Sequence, residues 1–233
     1  MSETAAVPSG ILGAFDELLK RPAETLARAD EGGSPRNSWR LLGGAVLLWA
    51  VYGAGAGFFQ GGGQIAVAAL KAGLIVACGL ALCVPSLYVL ASLAGADLSP
   101  RRFLVVVSGF AGTLGLLLLA LLPVGWLFSL SSNYLASAVW LHLLLWMVAV
   151  AFAARFLATA IRRSELVVAL WVVLFCAVCF QVTTLMRPVL WRPAGTSFFD
   201  ANTKLFFLEQ FGRIHRVPAI VPQPKPGITA AAS

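Results

Sequence analysis

Residues 41–154 contain only four charged side chains, Lys71, Asp97, Arg101 and Arg102, in a run of 114. A soluble domain must cover its surface with polar groups, and average soluble domains are about 25% charged. A stretch this apolar has lipid as its solvent. Residues 166–186 add a second charge-free block of 21. Over the whole chain 12% of residues are charged, 59% are hydrophobic and the mean hydropathy is +0.86. The class this predicts is an all-α, polytopic membrane protein.

A bilayer core about 30 Å thick needs roughly 20 helical residues to cross it. On that scale the apolar sequence divides into five spans, at residues 39–59, 65–95, 103–129, 134–159 and 166–186. The second is longer than a crossing needs, so it is expected to tilt or to protrude, and Pro85 is expected to kink it. The connection at 60–64, QGGGQ, is a tight turn, and IRRSE, at 161–165, makes the last two spans antiparallel neighbours. Three parts follow: an N-terminal part at 1–38, a five-helix membrane domain at 39–186 and a C-terminal part at 187–233. Residues 1–10 are small and polar and carry Glu3. No apolar core follows a basic start, so the first span is expected to act as a retained signal-anchor.

Both ends carry amphipathic sequence. In residues 11–29, Ile11, Leu12, Phe15, Leu18, Leu19 and Leu26 recur at helical spacing, with Asp16, Glu17, Lys20, Arg21 and Glu24 mostly opposite. This reads as a helix lying in the interface plane. Phe15, Leu18 and Leu19 are its expected anchors. Beyond the last span, Phe198, Phe199, Leu205, Phe206, Leu208 and Phe211 suggest a second such helix. Arg187, Trp191, Phe206, Phe207 and Phe211 are the expected anchors there, since aromatic rings and cations share the headgroup level. The Pro-rich stretch after residue 217 is expected to be extended and to clasp a neighbour.

Charge placement orients the spans. With the N-terminus in the cytoplasm, Lys20, Arg21, Arg28, Arg36, Arg40, Arg101, Arg102, Arg155, Arg162 and Arg163 fall on the inner side, while the loops at 60–64 and 130–133 hold no basic residue. This matches the positive-inside pattern. Five spans then put the C-terminus outside, although residues 187–233 carry six basic residues of their own. The formal charge of +7 is accounted for by topology and lipid headgroups, and no nucleic-acid motif accompanies it. Lys71, near the start of the second span, is expected to snorkel to the outer interface.

Candidate chemistry is sparse. His142 is the one ionisable side chain well inside a span. It is the sole candidate cofactor ligand, for a haem or chlorin, set against the plainer reading of a neutral imidazole bonded to a neighbouring helix. Cys78, Cys83, Cys176 and Cys179 all sit in apolar blocks and read as small packing residues. No metal site or other cofactor is expected. No GxSxG, HExxH or phosphate-binding loop occurs, and no catalytic residue is proposed. Small residues are more informative. Gly53 and Gly57, and Ala111 and Gly115, have the four-residue spacing that lets helices approach closely in lipid. Whether that approach is within one chain or in a homo-oligomer the spacing leaves open.

LLKRPAETLARA, at 18–29, followed by five closely spaced spans, resembles the bacterial branch of the YIP family, the Ypt/Rab-interacting-protein-like membrane proteins. QVTTLMRPVLWRP, at 181–193, is similar to a "Q…W.LRP..G.P" segment of some bacterial members. Gln181, Leu185, Arg187, Pro188 and Pro193 match. The Trp of the pattern is missing near Thr184, and its Gly is replaced by Trp191 or Arg192. The resemblance implies a non-enzymatic membrane protein with five helices and a cytoplasmic N-terminus. The small-GTPase binding of eukaryotic relatives has no matching residues here.

The expectation is a bacterial inner-membrane scaffold, assembly or accessory subunit, partnered by lipid and other membrane subunits. The alternatives are a small permease or lipid-handling subunit, or a pigment- or haem-binding subunit acting through His142.

Overall fold

The computed structural model describes residues 10–21, 24–26, 36–59, 62–96, 98–131, 135–161, 165–186 and 209. Every described element is helical. In chain order they are α1 (Ile11–Lys20), α2 (Arg36–Gly57), α3 (Gln64–Leu93), α4 (Pro100–Ser131), α5 (Leu135–Ile161) and α6 (Glu165–Leu185). Helices α2 to α6 are each long and apolar enough to cross a bilayer, which makes the chain a multi-pass membrane protein. Their number and places follow the apolar blocks of the sequence.

Local chemistry sets the helix ends. Ser99 starts α4, its Oγ accepting the Arg102 N–H at 3.3 Å, and Pro100 takes the first helical position, where no N–H is needed. At the end of α3, Gly95 adopts φ 75°. Its N–H donates to Ser92 O at 2.9 Å, and Ala96 N–H donates to Ala91 O at 3.0 Å. These two bonds form a Schellman closure, which needs the left-handed residue that glycine supplies at no steric cost.

With 30 residues, α3 runs about 45 Å at 1.5 Å per residue, well beyond a hydrocarbon core. It continues as helix through Pro85, which has no N–H to give. Two residues before it, the Cys83 carbonyl accepts two side-chain donors, Ser86 Oγ at 2.7 Å and Trp171 Nε1 at 2.9 Å. Hydroxyls and neighbouring helices commonly satisfy backbone groups around a proline in lipid.

The spans close into a ring. Helix α2 packs on α3 and α4, α3 on α6, α4 on α5, and α5 on α6. The last contact joins the two helices that the short 161–165 connection makes neighbours. Phe110 of α4 reaches across to α6, edge-on to Trp171 at 5.3 Å and to Phe175 at 5.4 Å between centroids. Trp171 and Phe175 stack at 5.4 Å, and Trp146 of α5 joins them through Phe175 and Phe180. This aromatic junction ties three helices together, and the Trp171 N–H links it to the fourth, α3.

Candidate functional site

Gly53 and Gly57 make a close helix contact within this one chain. An added Cβ on Gly53 would meet the Ala68 carbonyl oxygen at 2.6 Å, and one on Gly57 would meet Ile65 Cα at 2.8 Å. Glycine here lets the backbones of α2 and α3 touch. Gly115 of α4 faces the Trp49 indole of α2, and Ala111 is fully buried in the core.

That contact fixes the register of α2 against α3. Because Gly53 lies between Ala68 and Ala72, Tyr52 is level with Lys71. Tyr52 points to α5, where its hydroxyl and His142 Nδ1 are 2.9 Å apart. The tautomer of the imidazole sets the direction of this hydrogen bond. The rings meet edge to face at 5.6 Å. Room for His142 comes from Gly125 of α4, where an added Cβ would lie 3.1 Å from the imidazole Cε1. The imidazole thus joins α2, α4 and α5, and its orientation is fixed by the phenol. Tyr52 carried no signal in the sequence beyond being a polar aromatic in the first span.

Lys71 departs from expectation. It does not reach the outer interface; its side chain is 0% exposed. It stands seven residues from the first residue of α3, about 10 Å along the helix. Distance from the helix end favours snorkelling, but the helical face decides against it. Gln64, Ala68 and Lys71 are spaced i, i+4, i+7 and all three are buried, so the lysine stem starts inside the bundle and stays there. A lysine buried within a spanning helix is costly and marks a functional candidate. Lys71, with the Tyr52–His142 pair at its level, is the polar centre of the bundle.

The cysteines serve as packing atoms. Cys83, Cys176 and Cys179 are buried free thiols, and Cys179 rests against Gly79, where only a glycine leaves room for the sulfur. Among the described residues no three His, Cys, Asp or Glu side chains come together as a metal-ion set. Several hydroxyls bond back to their own helix. Ser108, Thr159, Thr183 and Thr184 each donate to a carbonyl three or four residues back.

Of the expected anchors, Phe15 and Leu18 face inward rather than toward lipid. Phe15 is buried against α2 and α4 and Leu18 against α4, and Leu19 is exposed. Arg187, Trp191, Phe206, Phe207 and Phe211, with the second amphipathic helix and the Pro-rich tail, lie outside the described residues. No family model, curated protein or solved structure matches this chain.

Proposed function

We propose that this chain is a non-enzymatic membrane subunit, a scaffold or assembly factor for a larger membrane complex. The supporting observation is how its scarce polar and sulfur groups are used. His142 is bonded to Tyr52, Trp171 to the Cys83 carbonyl, and Cys179 fills the space at Gly79. Each fixes one helix against another, as a frame requires. Membership of the bacterial YIP family is part of this reading and rests on the order of features in the sequence. So does the topology, with an inner-membrane location, a cytoplasmic N-terminus and an external C-terminus.

Residues 195–233 are then the segment that holds a partner subunit. Deleting them should leave the bundle folded and eluting normally in mild detergent, while the proteins that co-purify with the full chain are lost. If the truncated chain retained the same partners in the same amounts, the clasp would be abandoned.

Lys71 favours a second reading, a small permease with its path along the polar centre. Lys71→Met keeps the length of the side chain and removes its charge. In a permease this change abolishes solute uptake into vesicles, with the protein still folded. In a scaffold it leaves partner retention unchanged, so the two measurements on one variant separate the readings.

A further inference from the structure

Helix α1 has three faces. Ala14, Phe15 and Leu18 are buried on the bundle. The Phe15 ring enters a notch at Gly44, where an added Cβ would come within 2.5 Å of its Cε2. Gly112 of α4 forms the other wall, with Leu18 Cδ2 at 3.0 Å and Phe15 Cε1 at 3.2 Å from its own added Cβ. A second face is charged, and there Asp16 and Lys20 pair at 2.8 Å in solvent. The third lies between them. Leu12 and Leu19 are seven residues apart, on one side of the helix, and are 85% and 63% exposed.

We propose that this third face is inserted in the lipid leaflet at this end of the bundle. Docking to α2 and α4 and insertion of Leu12 and Leu19 thus use different sides of one helix. Three observations select lipid as the occupant. The notch at Gly44 is five residues from Trp39 of α2, which is exposed and flanked by Arg36 and Arg40. An outward tryptophan among arginines marks the headgroup level. The Asp16–Lys20 face turns to water where an interfacial helix requires it. Exposed leucines are also what the spans present outward, as at Leu47 and Leu82.

The test uses the full chain in vesicles of phosphatidylcholine and phosphatidylglycerol. Single nitroxides are placed by Leu12→Cys, Leu19→Cys and Glu17→Cys in a Cys78→Ala background, the other three cysteines being buried. Labels at 12 and 19 should relax strongly with oxygen and be shielded from a nickel chelate, with the reverse at 17. Nickel access at 12 and 19 equal to that at 17 would place the face in water and overturn the proposal. Shielding from both reagents would mean a protein cover and would equally overturn it. A photoreactive diazirine residue at 12 or 19, with the native cysteines intact, gives a second readout. Adducts on phospholipid are expected; adducts on protein would refute lipid contact.

Discussion

Replacing Trp171 with alanine is expected to destabilise the bundle by about 3–5 kcal/mol, the usual cost of removing a large buried aromatic. The indole is 1% exposed and fills the junction between Phe110 and Phe175. Lipid does not enter a closed aromatic core, so the surrounding rings lose their contacts outright. The Cys83 carbonyl also loses its donor from α6, though Ser86 Oγ still reaches it at 2.7 Å. Trp171→Phe separates these effects. It keeps most of the ring contact and loses the hydrogen bond, for about 1 kcal/mol. Unfolding of the two variants in detergent, followed by tryptophan-independent circular dichroism, checks the order. Equal stability of Trp171→Ala and the parent would show that the junction does not hold α4, α5 and α6 together.

How much of this was legible in the sequence depends on the solvent. Helix number, length and position were readable because hydrocarbon thickness sets a length that apolar blocks either meet or miss. Gly53 and Gly57 were readable because close approach in lipid needs small residues at a fixed spacing. The faces were not. In water an apolar stripe marks the buried side of a helix, but a span is apolar on the lipid side as well as the protein side. Nothing in the pattern therefore showed that Lys71 falls on an inward face, or that Tyr52 and His142 meet. The same ambiguity affected α1. Phe15, Leu18 and Leu19 are equally apolar, and only the notch at Gly44 and Gly112 sorts the first two from the third. The ring order α2, α3, α6, α5, α4 depends on pairwise fit between helices, which no single helix displays.

Gly53→Leu is expected to separate α2 from α3. Even an added methyl lies 2.6 Å from the Ala68 carbonyl oxygen. That neighbour is backbone and has no rotamer by which to withdraw. Overpacking of this kind costs about 1–3 kcal/mol for a small increment, and leucine adds three more carbons. Gly43 supplies the control. It lies in the same helix with nothing within 4 Å of an added Cβ, so Gly43→Ala should be neutral or stabilising by up to about 1 kcal/mol through helix propensity. The clash at Gly53 also reaches the polar centre, because Tyr52 is next to it in sequence and Lys71 lies between Ala68 and Ala72 on α3. In the parent protein Lys71 is wholly enclosed and should resist an amine-reactive reagent in mild detergent. In Gly53→Leu it should become modified, while Gly43→Ala protects it as the parent does. If Lys71 stayed protected in a folded Gly53→Leu protein, the α2–α3 backbone contact would not be what seals the centre of the bundle.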